Sequence, residues 1–392
     1  MSFERLTSEE QAIVDTVARF VTRDVAPAVA KHEREGTYPD ALVAAMKELG
    51  LFGVAVPETY GGLGLSQPAA AAVFETLSQG WSSLAAYINS HSTVAYAISR
   101  YGSEAQKSQW LPKLATGEVR AAMCLTEPHA GSDLQAIETK AEPAGGGLAL
   151  SGNKIYVTNG GRADLLMVLA KTDRAAAKPS QSMSLLLVPK TAPGLAVGGT
   201  YRKMGFHLVD TVEIRFEQAK LGADAVLGDQ IGKGFAQLME SLEVGRIAIA
   251  ASAVGVAAAS LKAAMQFASE RKAFGKPIDQ HQAIELRLAE MATKLLAARQ
   301  VTLLAAETKQ AGGRADMVSA MAKLYASEAA AEITQDAIRV HGGHGYIADY
   351  QVERLHREAL LYLVGEGTND INKLVIARRL REGRETSLLG LV

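Results

Sequence analysis

Residues 148–160, LALSGNKIYVTNG, decide how this chain is built. Ile155 and Val157 are β-branched, Tyr156 is aromatic, and the run closes on Asn159 and Gly160, a turn signal. The stretch reads as a strand. Working outward, DLLMVLAKT (164–172), SMSLLLVPK (182–190) and DTVEIRFEQAKL (210–221) repeat this texture of short apolar or alternating runs separated by Gly, Pro and Asp. Residues 121–228 therefore predict a small β domain.

On either side the period changes. Before it, SEEQAIVDTVARFVTRDVAPAVAKHER and PDALVAAMKELGLFG place apolar residues three and four apart, and a second helical stretch runs from Gln67 to about residue 117. After it come long helices such as HQAIELRLAEMATKLLAARQVTLLAAETKQ. The expected fold is α+β, mainly α, with a helical region 1–120, the β domain 121–228 and a helical bundle 229–392. No fixed-period repeat or low-complexity linker separates them, so they are expected to pack as one body, with ligand sites at the junctions.

The chain has 392 residues, 48% hydrophobic and 21% charged, with a formal net charge of −1 and no block of like charges. That balance predicts neither a nucleic-acid surface nor a membrane protein. The apolar run IAIAASAVGVAAASL (247–261) is shorter than the ~20 residues of a bilayer span and reads as a buried helix. One cysteine, Cys124 in AAMCL, excludes an intramolecular disulfide and a thiolate cluster and reads as a small buried apolar residue. With an acidic, helical N-terminal stretch unlike a targeting peptide, the expected location is cytoplasmic.

Short polar motifs punctuate this frame. MCLTEPHAGSDL (123–134) passes through a Pro turn into a small-residue loop whose N–H groups and Ser132 hydroxyl suit a phosphate, or simply link two elements. In KIYVTNGG (154–161) the two-residue strand period puts Tyr156 and Thr158 on one face, suited to a planar heterocycle or to ordinary core packing. ERKAFGKPIDQHQ (270–282) offers Arg271 and Phe274 three apart on one helical face. RVHGGHGY (339–346) holds two histidines, but its glycines and the lack of acidic companions argue for close backbone approach rather than a metal. In LVGEGTNDINKLVIARRL (363–380), Glu366 stands between Gly365 and Gly367 just before a helix that Thr368, Asn369 or Asp370 can cap. The glycines let the backbone turn sharply and leave that carboxylate facing the gap.

Together LTEPHAGSD, KIYVTNGG, KMGFHLVDTVEIRFEQAKL, ERKAFGKPIDQHQAI, RVHGGHGY and GEGTNDI, in this order, closely resemble the acyl-CoA dehydrogenase family, from the first helices to about Arg379. The resemblance implies an N-terminal helical domain, a central β domain and a C-terminal four-helix bundle, with FAD between the last two and a homotetramer in which a neighbouring subunit completes the cofactor site. It implies that Leu125, Thr126 and Ser132 line the flavin and its pyrophosphate, that Tyr156 and Thr158 cover the ring, and that Thr368 also meets the cofactor. Arg271, Phe274, Gln282, Gly342 and Gly343 fall at the adenosine end across the subunit interface. Ser132, Glu243, Arg246 and Arg314 match positions that contact the CoA thioester, and Glu366 matches the base that takes the α-proton while a β-hydride leaves for the flavin.

Departures from the family pattern shape the rest of the expectation. Gly245 stands where some members carry the base, immediately before Arg246, so the base is assigned to Glu366. Tyr156 replaces a Trp and Arg339 a Gln. Gly365 replaces the Tyr of straight-chain and glutaryl enzymes, which widens the acyl pocket toward branched or cyclic groups. No Arg or Lys lies between Phe74 and Ser99, which disfavours a dicarboxylyl substrate. The expected function is dehydrogenation of a neutral acyl-CoA with an electron-transfer flavoprotein as acceptor. Alternatives are an oxidase or a carrier-protein-thioester dehydrogenase of the same fold and, from another class, a non-catalytic helical scaffold.

Overall fold

Thr7 accepts the N–H of Glu10 and Glu10 accepts that of Thr7, a capping box that opens α1 (Ser8–Phe20). A π-helical turn, Val21–Val25, leads into α2 (Ala26–Glu35), and α3 (Asp40–Glu48) follows. α4 (Gln67–Tyr101) kinks at Trp81, whose φ of −160° and ψ of 111° are not helical, and α5 (Glu104–Thr116) ends at Gly117. The computed structural model describes residues 6–173 and 175–390, so the outermost residues of the expected N- and C-terminal regions, and Arg174, lie outside the described residues.

The middle of the chain is a seven-stranded sheet: β1 (Ala121–Cys124), β2 (Lys140–Ala144), β3 (Gly147–Thr158), β4 (Leu165–Lys171), β5 (Met183–Pro189), β6 (Leu195–Thr200) and β7 (Thr211–Leu221). Its order is β1-β4-β2-β3-β7-β6, with β5 also paired to β4. β3 runs antiparallel to β7, and the register slips between Lys154 and Val157. That bulge corrects the expected two-residue period: Tyr156 takes a left-handed φ of 55° instead of continuing the pleat.

α6 (Gly234–Glu270) is the spine of the second helical region. It packs against α4 on one side and against α7 (Gln282–Gln310) and α8 (Asp316–His341) on the other. Its Ala, Gly and Ser content serves that close packing, since a Cβ at Gly255 would lie 2.3 Å from the Glu75 carbonyl oxygen of α4. An 18-residue window of this helix is apolar enough to cross a membrane by composition, but 78% of it is buried in the protein. The apolarity seen in 247–261 is used for helix packing. α9 (Gln351–Ala359), α10 (Leu361–Val364) and α11 (Asn369–Arg381) complete the region, with α11 lying against α8.

One local expectation fails. α6 stops at Glu270, so Arg271 and Phe274 do not share a helical face. The chain instead forms a two-residue hairpin between β8 (Lys272–Ala273) and β9 (Lys276–Pro277), with φ of 50° at Phe274 and 84° at Gly275. Two positive φ angles are the signature of the turn that matches strand twist, and Gly275 makes it accessible.

Candidate active site

The segment before α11 turns on three residues. Gly365 is extended (φ −75°, ψ 155°), Glu366 is left-handed (φ 54°) and Gly367 is left-handed (φ 84°). Thr368 caps α11, its Oγ1 accepting the Ile371 N–H at 3.3 Å. The turn is held from below by Lys323 of α8, whose buried ammonium donates to the Gly367 carbonyl and to Asn369 Oδ1, both at 2.8 Å. Glu366 Oε1 accepts a hydrogen bond from Asn89 Nδ2 of α4 at 3.1 Å. Its Oε2 lies against Gly245 of α6, where a Cβ would stand 3.3 Å away. The carboxylate thus fills the space that a side chain at 245 would need.

Burial pushes the Glu366 carboxyl above the usual carboxylate range, against the pull of the Arg246 charge, the Asn89 hydrogen bond and the Lys323 charge. Burial also lowers Lys323 to about 8, although the Glu366 charge opposes it. Arg246 is buried and its guanidinium is pulled below its ordinary value by that burial. Its Nε finds no partner among the described residues.

Glu366 opens into a cavity of about 1260 Å³ at the junction of the sheet with α4, α6 and α11. Leu125, Thr126 and Ser132 from the loop after β1, Tyr156 and Thr158 from β3, and Arg246, Gly365 and Thr368 all line it. The two motif segments are pinned to each other. Ile155 N–H donates to the Thr126 carbonyl at 2.9 Å, and Lys154 Nζ donates to Glu127 Oε1 at 2.7 Å and to the Leu125 carbonyl at 2.9 Å. Burial raises the Glu127 carboxyl, yet Lys154 and the N–H groups of Glu138 and Thr139 outweigh it and hold it below its usual range. Despite the bulge, Tyr156 and Thr158 reach the same cavity, and the Tyr156 ring stays 61% exposed beside Tyr201.

Other expected residues lie elsewhere. Glu243 does not line the cavity: it is fully buried, accepting from Lys309 Nζ at 2.9 Å and from Ala315 N–H at 3.2 Å. Arg314 is on the surface, 3.9 Å from Glu243 and 3.7 Å from Asp316. A carboxylate so enclosed serves the bundle interior, which the motif match could not reveal. Arg271, Phe274, Gln282, Gly342 and Gly343 are all exposed and outside the cavity. His341 packs its ring on Phe267 at 4.3 Å and donates from Nδ1 to the Ala337 carbonyl. A Cβ at Gly342 or Gly343 would meet nothing within 4 Å, so the close approach expected there is not made within this chain.

The structure also adds residues the motifs did not single out: Asn89 and Lys323 at Glu366, Phe206 and Tyr362 in edge-to-face contact at 5.9 Å, and Arg202, Arg378 and Arg381 along the wall. Arg378 lies within the Glu366 segment, twelve places on and inside α11, so it is in view of the motif. Asn89 has no such local signal.

The sequence matches the acyl-CoA dehydrogenase N-terminal domain over residues 7–118, the middle domain over 122–219 and the C-terminal domain over 232–381. The chain belongs to the acyl-CoA dehydrogenase family. It is 37% identical over 379 residues to an acyl-CoA dehydrogenase of Bacillus subtilis, covering 96% of this chain and 99% of that one. It is 36% identical over 385 residues to the cyclohex-1-ene-1-carbonyl-CoA dehydrogenase of Syntrophus aciditrophicus, covering 97% and 91%. Among solved structures it superposes on butyryl-CoA dehydrogenase of Megasphaera elsdenii with a TM-score of 0.93 at 34% identity, covering 97% of this chain and 100% of that one.

Members of this acyl-CoA dehydrogenase family are oxidoreductases acting on CH–CH bonds and depend on FAD. The residues here fit that cofactor. The open face of Tyr156, Thr126, Thr158 and Arg246, whose buried Nε has no partner among the described residues, line one cavity, whose volume exceeds the roughly 300–1,000 Å³ of a typical small-molecule site.

Proposed function

We propose that this acyl-CoA dehydrogenase removes hydrogen from the α and β carbons of a neutral acyl-CoA, with Glu366 as the base. The observation that carries the reading is the Glu366 carboxylate, held by Asn89 and filling the gap over Gly245 at the inner wall of the cavity. Glu366 takes the α-proton, the C–H electron pair forms the new double bond, and the β-hydrogen leaves with its own pair to give the trans-2-enoyl thioester. FAD, when bound, supplies the acceptor for that hydride. A carboxylate is a weak base for a carbon acid, and burial brings it nearer to neutrality, where a general base works best.

Leu125, Thr126, Ser132, Tyr156 and Thr158 on the sheet side of the cavity, with Thr368 at the start of α11, would hold the flavin end. Exposed Arg202, Arg378 and Arg381 on the cavity wall suit the phosphates of CoA or of the cofactor. Ala85, Ala86, Asn89 and Ser90 of α4, which line the cavity beside Glu366, are all neutral, which supports an uncharged acyl group. The absent side chain at Gly365 supports a wide one, and the cyclic substrate named for the Syntrophus relative points the same way. Electrons would pass to an electron-transfer flavoprotein. Arg271, Phe274, Gln282, Gly342 and Gly343 would serve the adenosine end of a neighbouring subunit's FAD in a homotetramer, which accounts for their exposure away from the cavity.

Anaerobic titration of the purified flavoprotein with straight, branched, cyclic and dicarboxylyl acyl-CoAs tests the reading. Bleaching of the flavin by a neutral acyl-CoA, with re-oxidation by electron-transfer flavoprotein faster than by oxygen, is expected. Protein without flavin, or flavin that no acyl thioester reduces, overturns it.

A further inference from the structure

Asn89 stands 277 positions before Glu366 in the chain, yet its Nδ2 reaches Glu366 Oε1 at 3.1 Å. Its Oδ1 is buried and has no partner among the described residues, so the carboxamide makes its one described side-chain hydrogen bond to the carboxylate. The helix beneath it is fixed on both sides. Tyr87 Oη donates to the Leu208 carbonyl at 3.1 Å, Asn159 Nδ2 donates to the Ala86 carbonyl at 2.9 Å, and His91 Nδ1 accepts the Ala121 N–H at 3.1 Å. Asn89 is thus presented from a rigid platform tied to both the sheet and the loop before β7.

Three elements face the carboxylate with polar or charged groups: α4 with Asn89, α6 with Arg246 and α8 with Lys323. Their roles differ. Lys323 Nζ is occupied by the Gly367 carbonyl and Asn369 Oδ1, so it acts on Glu366 through its charge and by fixing the turn. Arg246 also acts by charge, which Asp316, Glu243 and Arg378 modulate in turn. Asn89 alone among the described residues donates a hydrogen bond to the carboxylate.

We propose that Asn89 is a positioning residue for the base: its carboxamide holds the Glu366 side chain in one orientation over Gly245 and favours the anionic form that accepts a proton. The proposal rests on the reading of Glu366 as base. A carboxamide suits this task because it donates without titrating. An apolar replacement of similar size removes the donor, and a carboxylate in its place adds a like charge, so both make the anion harder to form.

The test follows the protonation of Glu366 in FAD-loaded protein as pH is varied, by infrared difference spectroscopy of the carboxyl band. Glu366→Gln identifies the band. The pH dependence of anaerobic flavin reduction is measured alongside, with flavin content and Tm as controls. Asn89→Leu should raise the midpoint by about one to two pH units, the value of a hydrogen bond to a charged group, and in Asn89→Asp the two facing carboxyls share a proton, so the upper midpoint of the pair should rise further. The acidic limb of the reduction rate should move with it. Midpoints equal to wild type in both variants overturn the proposal, even where Tm falls, because a merely structural residue would change stability without moving the titration. Should Asn89→Leu fail to hold FAD, the isosteric Asn89→Asp decides by the same criterion. Wild-type protein that no acyl thioester bleaches defeats the functional reading, and the infrared midpoints still decide the role of Asn89.

Discussion

Glu366 holds a left-handed backbone, a conformation that costs a non-glycine residue of order 1–3 kcal/mol and persists only where its surroundings over-determine it. Here Lys323 grips the next carbonyl and Asn89 grips the carboxylate. Glu366→Gln keeps the shape and can still accept from Asn89, so it should bind FAD and thioester while flavin reduction falls at least ~10²-fold in stopped-flow bleaching. Near-normal bleaching would mean another base. In wild type the reduction rate should rise with pH through a midpoint above the ordinary carboxylate range, since burial raises the group and only its anion accepts a proton. Gly365 is different in kind. Its φ of −75° suits any residue, and a Cβ there would meet Leu361 alone, tightly at its carbonyl oxygen (3.3 Å) and in ordinary contact at its Cγ and Cδ1 (3.8 Å), so the backbone does not require glycine there. Gly365→Tyr should therefore narrow the acyl site and shift kcat/KM ratios toward straight chains by roughly 10- to 200-fold. Equal losses on every substrate would show that pocket width was misread. At this scale the sequence shows the acid, its flanking glycines and the Thr368 cap, because all are neighbours in the chain. It cannot show that the strain sits on Glu366 rather than on Gly365, or that Asn89 completes the site from 277 residues away.

At the scale of elements, legibility follows the reach of the period. Long helices and the apolar strands β4 and β5 declare themselves, whereas a bulge in β3 and a hairpin after α6 depend on one or two φ angles that no period records. The joints between elements are hidden too. His91 of α4 ties three of them: its Nε2–H lies 3.1 Å from both the Phe52 and the Leu114 carbonyls, and its Nδ1 accepts the first N–H of β1. That pattern fixes one neutral tautomer, and burial lowers the imidazole to about 4. The sign of the consequence is set by the unfolded chain, which takes up a proton near pH ~6.5 while the folded one refuses it. The stabilisation is complete above that value and is lost as pH falls toward about 4. It amounts to at most about 3 kcal/mol. Denaturant midpoints should accordingly drop between about pH 7 and about pH 5, and His91→Gln, less stable at neutral pH, should show a shallower drop. Parallel slopes in the two proteins would place the acid sensitivity elsewhere.

The whole molecule presents two groups of motif residues that do not meet. One lines the cavity around Glu366; the other, led by Arg271 and Phe274, stands on the outside of the helical region, with Phe274 98% exposed and Tyr346 of the RVHGGHGY segment 90% exposed. Motif order alone does not separate these groups; only the family resemblance sets the second apart, at a subunit interface. The exposed Phe274 ring sits on a hairpin whose turn has two positive φ angles, a fixed position on the outside of the chain. If Arg271 meets the phosphates of a neighbouring subunit's cofactor, Arg271→Ala loses a charge-assisted contact that lies across the interface and in the cofactor site at once. Flavin content and oligomer mass should then fall together, and added FAD should restore both. A variant that keeps full flavin and full mass would make Arg271 a surface residue. Loss of flavin with the assembly intact would move it into its own subunit's site, a result the 1260 Å³ cavity, which Arg271 does not line, argues against.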